Sequence, residues 1–221
     1  MGELLSVNVG KAAGTTHSEV GVTGIDKRPV PGKVSVRAPG PRGEGGSGLV
    51  DDAVCDLRFH GGNDHAVYAY AREDLDWWSR RLDRPLPNGT FGDNLTTRGV
   101  VVTDAVIGER WRIGTTLLQV CSMRIPCRTF AGWLGERGWI KTFTEQARPG
   151  AYLRVLVPGE ITAGDTITVT DRPAHGVTAG TVFRALTREP DLLPALLRAD
   201  DLARQERDIV DQRLRRAATA S

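Results

Sequence analysis

Short β-strand patterns follow one another through the first 175 residues, and they limit the possible folds more than any other feature of the chain. β-branched and small residues recur in brief runs, which Gly and Pro clusters interrupt. Strands are predicted at residues 4–9, 34–37, 48–59, 66–70, 100–103, 107–113, 117–122, 151–158 and 161–170. The pattern predicts a mainly β structure.

Helical patterns are fewer and lie at defined places. The first is predicted over residues 72–82, with Leu75, Trp78 and Leu82 on one face and Asp74 among the solvated residues. Two more are predicted from Cys127 to Gly135 and over residues 139–147. From Gly180 the composition shifts to Leu, Ala, Arg, Asp and Glu, and helices are predicted near residues 181–188, 191–199 and 201–216. The chain is therefore expected to end in a small amphipathic helical appendage.

Charge and cysteine usage exclude several classes of protein. Lys and Arg total 29 against 27 for Asp and Glu, so the chain has no electrostatic footprint for nucleic acid or a membrane surface. Its apolar runs are too short to span a bilayer. The 3 cysteines have no CxxC spacing, which speaks against a disulfide framework or zinc knuckle. A small partner and a reducing, cytoplasmic compartment are expected.

One cysteine lies in a stiff turn between two arginines. Pro126 fixes the backbone before Cys127, and a helix can begin directly after it. The positive end of that helix, together with Arg124 and Arg128, would favour the thiolate form, which attacks electrophiles and ligates metals. An inert, buried cysteine is an equally good interpretation of this segment alone. Cys55 and Cys121 fall within predicted strands and are expected to be structural.

A histidine is followed by two glycines where the predicted strand 48–59 ends. Gly61 and Gly62 would let the backbone turn sharply and approach a ligand while the strand fixes His60. A histidine hydrogen-bonded to backbone in a tight turn is the plainer alternative. Asp64 and His65 follow directly, so polar residues cluster at one corner, where sites are often built.

Two glycine-rich loops flank these segments. The loop at 38–48 lacks the Lys-Ser/Thr ending of a phosphate-binding P-loop, and we interpret it as a mobile cover. Residues 89–97 (GTFGDNLTT) offer backbone donors, an amide and hydroxyls that would suit a neutral or phosphorylated ligand. Turn chemistry alone would also place Gly, Asp and Asn there.

Five of these segments together resemble the MOSC domain. Residues 24–30 (GIDKRPV), 48–52 (GLVDD), 60–64 (HGGND), 89–95 (GTFGDNL) and 124–127 (RIPC) follow in the order and spacing of that family. The resemblance is greatest to its YiiM-like branch, the 6-N-hydroxylaminopurine resistance proteins, and covers residues 3–172. The tail from residue 177 resembles the three-helix extension of that branch. The predicted domains are therefore 1–173 and 177–221.

The resemblance implies a closed β-barrel-like core with a few peripheral helices, which holds the molybdenum cofactor (Mo-molybdopterin) in a cleft. Carried over by position, Cys127 would be the metal ligand, and Lys27, His60 and Cys127 would be the catalytic set. The cofactor-binding residues would be His60, Gly61, Gly62, Asp64, Phe91, Gly92, Asn94 and Arg124. At the level of the domain, the resemblance also implies a link to pyridoxal phosphate.

The implied activity is reductive removal of oxygen from N-hydroxylated bases or amines. A separate reductase would supply the electrons. The protein is expected to be a monomer or homodimer and to bind neither nucleic acid nor a membrane. His60 would deliver protons because an ordinary histidine has a pKa near neutrality, and Lys27 would stabilise negative charge or donate a proton through His60. Two alternatives stay open at this point. Cys127 could carry a persulfide, or the chain could bind or store the cofactor without turnover.

Overall fold

The computed structural model describes residues 1–220 and shows a chain built mainly of β-strands. Several strands alternate between buried and exposed positions, and all five residues of the sixth strand are buried. In chain order, the strands are β1 Gly2–Gly10, β2 Ala13–Gly14, β3 Val22–Thr23, β4 Lys27–Pro29, β5 Val34–Val36, β6 Val67–Ala71, β7 Leu95–Arg98, β8 Arg110–Ile113, β9 Thr116–Ser122, β10 Ala151–Val157, β11 Gly159–Ile161 and β12 Thr166–Asp171.

A closed barrel forms the centre of the described chain. Its strands pair in the order β12-β8-β9-β10-β6-β7-β1, and β1 pairs again with β12 through Gly2 opposite Ile167. β6 and β7 run parallel, whereas the other pairs around the barrel are antiparallel. β4 extends the sheet from β1 and places Lys27 opposite Gly10. The predicted mainly β, barrel-like fold is confirmed.

Six α-helices within residues 1–220 surround the barrel. They are α1 Arg72–Arg81, α2 Arg128–Leu134, α3 Trp139–Gln146, α4 Ala179–Thr187, α5 Leu193–Leu196 and α6 Arg204–Ala220. The predicted helices after Arg72, Cys127 and Gly138 are confirmed to within a residue or two. In the tail, Pro190 and Pro194 limit the middle predicted helix to a 3-10 turn and the single turn of α5. None of these helices is long and apolar enough to cross a membrane.

An aromatic cluster joins α1, α2 and α3 to the loop before β7. Trp78 of α1 lies 4.7 Å from Trp139 of α3 between ring centroids, and Phe91 of the loop lies 5.1 Å from Phe130 of α2. Phe143 stacks on Trp78 at 5.9 Å. Tilted and edge-to-face pairs of this kind each add about 0.5–1.5 kcal/mol beyond burial. The cluster therefore fixes α2, and with it the position of Cys127.

Three strand predictions and one burial prediction are wrong. Residues 48–59 contain turns at 50–51 and 57–59 and no strand between them. Asp51 adopts a left-handed φ of 66°, and the Asp52 side chain, not a neighbouring strand, accepts the hydrogen bond from the Gly10 N–H. Residues 100–103 lead into a 3-10 turn at Val102–Asp104. The predicted strand 161–170 is interrupted by a turn in which the Asp165 carboxylate accepts from the Thr162 N–H. Asp74 is buried because it pairs with Arg148.

The tail packs directly against the barrel. The Ala179 N–H donates to the Ala105 carbonyl, and the Ala203 N–H donates to the Cys121 carbonyl of β9, both at 2.9 Å. Val182 and Phe183 of α4 are fully buried. The division into domains 1–173 and 177–221 stays a prediction, because contacts between the two parts do not show whether each part folds as a separate unit.

Candidate functional site

A cavity of about 410 Å³ opens at the end of the barrel next to α2. Its walls come from parts of residues 17–27, 52–65, 92–94, 123–129 and 205–206, with Ser47, Tyr68 and Tyr152. Lys27, His60 and Cys127, which are far apart in the sequence, all line it. The volume lies in the range of small-molecule sites, so we take this cavity as the candidate site.

Cys127 is the N-cap of α2. Its backbone is extended (φ −123°, ψ 172°), and its Sγ accepts a hydrogen bond from the Phe130 N–H at 3.5 Å. The thiol is partly buried and borders the cavity. Among residues 1–220, no group of three His, Cys, Asp or Glu side chains could hold a metal ion. Cys127 thus faces the cavity as a sulfur donor that belongs to no such group.

Arg124 provides a buried positive charge next to this thiol. Its side chain is 8% exposed, its Nη1 donates to the Phe91 carbonyl at 2.9 Å, and its guanidinium lies 4.4 Å from the centre of the Phe130 ring. Its buried Nε has no hydrogen-bond partner within residues 1–220. Arg128 also lines the cavity, but it is exposed and donates to the Thr16 carbonyl at 3.2 Å. Of the two flanking arginines, only Arg124 therefore supplies a buried positive charge.

Lys27 is held by a carboxylate that the sequence predictions did not single out. Its ammonium donates to Asp52 Oδ1, and the two side chains are only 9% and 1% exposed. Asp52 also accepts from the Gly10 N–H at 2.7 Å and from Asn94 Nδ2 at 2.8 Å. Burial lowers the pKa of Lys27, and the charge and hydrogen bond of Asp52 oppose that shift. The two acidic residues after the apolar run 49–50 were the available sequence signal.

His60 lines the cavity but differs from the expected proton donor. Its pKa is lowered from 6.5 to about 4, mainly by burial and next by the positive charge of Arg124. Asp56 opposes this shift, whereas His65 and Arg42 add to it. The expectation of a pKa near neutrality is therefore wrong for the cavity as described. At pH 7 His60 is a neutral imidazole, which can donate one N–H but carries no charge.

Replacing His60 by glutamine is expected to flatten the dependence of stability on pH. Between about pH 7 and pH 4 the unfolded chain binds a proton at this histidine before the folded chain does, so stability falls as the pH falls through this window. Urea unfolding measures how far the free energy of unfolding falls between about pH 7.5 and pH 4.5. This fall should be smaller in His60→Gln than in wild type by on the order of 1–2 kcal/mol. The control is His17→Gln, which alters an exposed histidine. Equal losses in wild type and His60→Gln would show that His60 titrates normally.

The two glycines after His60 let the 38–48 loop pack closely against the backbone. Gly61 and Gly62 have φ values of 77° and 76°, which other residues rarely adopt, and a Cβ on either one would collide with backbone of that loop. The Gly62 N–H donates to the Gly45 carbonyl at 2.8 Å. Of the loop itself, only Ser47 lines the cavity. The loop thus supports the His60 turn, while residues 17–19 border the cavity on the side of α2.

The predicted cofactor-binding residues divide into two groups. His60, Gly61, Gly92, Asn94 and Arg124 line the cavity. Gly62, Asp64 and Phe91 do not line it. Asp64 instead pairs with Arg154 at 2.9 Å, and Phe91 reaches the site only through the carbonyl that holds Arg124. Their predicted contacts to a cofactor stay untested, but the structure gives each of the two side chains another role.

Cysteine placement differs in part from expectation. Cys121 is fully buried in β9, and burial raises the pKa of its thiol to about 12, so its structural role is confirmed. Cys55 was expected in a core strand, but it lies in a turn segment, is only partly buried and lines the cavity. Burial raises the pKa of Cys55, which makes it a poorer thiolate. The turn at Asp51 ends the strand-like run and moves this residue out of the core.

Several residues of the cavity wall were not predicted, among them Tyr68, Tyr152 and Glu206. The Tyr152 ring stacks on His65, a member of the predicted polar corner, with centroids 4.4 Å apart. Tyr68 and Tyr152 follow strand periodicity and give no functional signal in the sequence. Glu206 comes from α6, far along the chain in a segment that was predicted to be an appendage. Only the packing of the tail on the barrel reveals it.

Comparison with known proteins identifies relatives of this chain. A profile described as the MOSC domain matches residues 56–168. Uncharacterized protein YflK of Bacillus subtilis (strain 168) is 31% identical over 175 residues, which cover 79% of this chain and 76% of YflK. Protein YiiM of Escherichia coli (strain K12) is 27% identical over 57% of each chain. A protein named Reductase from Gibberella moniliformis (strain M3125 / FGSC 7600) is 32% identical over 52% of this chain and 21% of its own length.

Solved structures show the same fold. The crystal structure of YiiM from Geobacillus stearothermophilus superposes with a TM-score of 0.79 at 28% identity and covers 97% of this chain and 100% of that one. YiiM from Escherichia coli gives a TM-score of 0.74 at 21% identity, over 96% of this chain and 92% of that one, which shows likeness of fold alone. The likeness includes the helical tail. Neither the profile nor the names of these relatives support pyridoxal phosphate as a cofactor.

Proposed function

Because the chain belongs to the MOSC domain family, with YiiM proteins among its relatives, we propose that it is a molybdenum cofactor-dependent reductase of small N-hydroxylated compounds. The family is associated with molybdenum cofactor enzymes, and one relative is named a reductase. The observation that carries the proposal is the meeting of a thiol, two buried cations and a neutral histidine around one cavity: Cys127, Arg124, Lys27 and His60.

The residues of the cavity fit such a cofactor. Molybdopterin is anionic, and Arg124 offers a buried positive charge whose Nε lacks a partner in the described chain. Cys127 offers the soft sulfur donor that such a metal favours. When bound, the cofactor would supply the two-electron oxygen-transfer chemistry for which amino-acid side chains have no equivalent. Cys127 would hold the metal, and Arg124 with neighbouring backbone would hold the anionic part.

The reaction takes up two electrons and two protons, and it yields an amine and water from each N–OH group. Lys27 is suited to give a proton because burial lowers its pKa, and Asp52 keeps its ammonium in place. His60 is neutral, so it would orient the substrate by donating an N–H and pass on protons from Lys27 or solvent. We assign the supply of electrons to a separate reductase, because Lys27 and His60 can exchange protons but not electrons.

Metal and pterin analysis of protein purified from a molybdenum-replete host tests the proposal. We expect molybdenum and pterin near one equivalent each, and reduction of 6-N-hydroxylaminopurine to adenine with a chemical reductant. Omission of the reductant is the control for spontaneous loss. Folded protein without metal or pterin, whose Cys127 has gained the mass of one sulfur atom, would replace this proposal with a persulfide carrier. Bound cofactor without turnover of any N-hydroxylated compound would replace it with a storage protein.

A further inference from the structure

The first turn of α6 places a carboxylate in the wall of the cavity. Glu206 is 5% exposed and lines the cavity together with its neighbour Gln205. Both residues belong to the helical tail, whereas the thiol, lysine and arginine come from the barrel side. A buried carboxylate is costly unless its oxygens are hydrogen-bonded, so the partners of each oxygen decide what Glu206 does.

Within residues 1–220, only one of the two Glu206 carboxylate oxygens accepts a hydrogen bond. Glu206 Oε1 accepts from the Ser122 hydroxyl at 2.8 Å and lies 3.7 Å from His65 Nε2. Oε2 is buried and has no hydrogen-bond donor among residues 1–220. The contact with Ser122 explains how the tail is anchored to β9, but an amide oxygen would do the same. The unpartnered Oε2 therefore calls for a second explanation.

Tyr152 links Glu206 to the catalytic side of the cavity. His65, which lies 3.7 Å from Glu206 Oε1, stacks on the Tyr152 ring with centroids 4.4 Å apart. The Tyr152 ring lies 4.8 Å from the Tyr68 ring, and the Arg124 guanidinium lies 5.3 Å from the centre of the Tyr68 ring. A continuous row of side chains in the cavity wall therefore runs from Glu206 of α6 to the buried cation Arg124.

We propose that Glu206 Oε2 binds the N–H edge of an aminopyrimidine-type ring in the ligand. This inference rests on the proposed function, because both the pterin of the cofactor and an N-hydroxylated purine carry such an edge. A carboxylate is the acceptor best suited to it, since hydrogen bonds to a charged oxygen are stronger than those to a neutral one. The helical tail is on this view part of the binding site.

Binding of two probes to the full chain tests the assignment and separates the two sources of the edge. The probes are 2-amino-4-oxopteridine and 6-N-hydroxylaminopurine, each followed by fluorescence or equilibrium dialysis with chain purified from a host that cannot make the pterin cofactor. Glu206→Gln keeps an oxygen for the Ser122 hydroxyl and replaces Oε2 by an N–H donor. We expect at least tenfold weaker binding of one probe. A loss confined to the pteridine assigns Glu206 to the cofactor, and a loss confined to the purine assigns it to the substrate.

Asp208→Asn is the matched control, because Asp208 lies in the same helix and is 72% exposed. It should bind both probes as wild type does. Thermal unfolding checks that Glu206→Gln is folded. The inference is overturned if the folded variant binds both probes with unchanged affinity, or if wild type binds neither. Failure of the proposed function would be a separate result. Even if the protein showed no reductase turnover, the ratio of wild-type to Glu206→Gln affinity could still be measured for each probe.

Discussion

Replacing Cys127 by serine is expected to remove bound molybdenum and to lower reduction of N-hydroxylated substrate about hundredfold or more. Loss of an outer partner of a metal ligand already costs about 10–100-fold in affinity or activity, and loss of the sulfur donor itself should cost at least as much. Serine is the informative replacement because its hydroxyl also caps helices well. It can accept from the Phe130 N–H as the thiol does, so α2 should stay in place.

Cys55→Ser is the matched control for this experiment. Cys55 lines the same cavity, and burial raises the pKa of its thiol, so it is not expected to ligate metal. Cys55→Ser should have a metal content, a pterin fluorescence and a steady-state rate close to those of wild type. If Cys127→Ser retained molybdenum and turnover while Cys55→Ser lost them, the metal ligand would be Cys55. If both variants retained them, the metal would have no cysteine ligand and the proposed site would be wrong.

Replacing Asp52 by alanine is expected to lower the free energy of unfolding by about 3–5 kcal/mol, the usual cost of removing one partner of a buried ion pair. The change leaves the buried Lys27 ammonium and the Gly10 N–H without the carboxylate acceptor, and Asn94 Nδ2 keeps only the Asn8 carbonyl. Lys27 would lose its proton more easily as a result, because Asp52 no longer opposes the lowering of its pKa by burial. Urea unfolding at about pH 7 measures the effect.

The double variant Lys27→Met, Asp52→Leu provides the control for this prediction. Removing both charges takes away the uncompensated ammonium, so we expect the double variant to be more stable than Asp52→Ala. We expect it to lack reductase activity, because Lys27 is the proposed proton donor. That combination would separate the contribution of the pair to stability from its contribution to chemistry. An Asp52→Ala protein within about 1 kcal/mol of wild type would show that water or another group replaces the carboxylate.

Much of the fold was readable from local pattern. The alternation along β1, the strand-like composition of β6, β9 and β10, and the apolar face of α1 depend on residues close in sequence, and these elements were predicted. The strand prediction for residues 48–59 was wrong although the composition of this segment is strand-like. Asp51 turns the backbone, and the Asp52 carboxylate accepts the hydrogen bond from the Gly10 N–H that a paired strand would otherwise accept. A left-handed residue that is not glycine leaves no signal in composition.

Local residue order was enough to indicate the available chemistry: a cysteine after proline, a histidine before two glycines, and their order along a MOSC domain. Which side chains face the cavity, and in what state, depends on the folded barrel. Folding pairs Lys27 with Asp52, lowers the pKa of His60 to about 4, leaves Arg128 exposed at the cavity and brings Glu206 in from the tail. Desolvation and long-range pairing depend on what surrounds a side chain once the barrel closes, and a linear pattern of residues does not contain those neighbours.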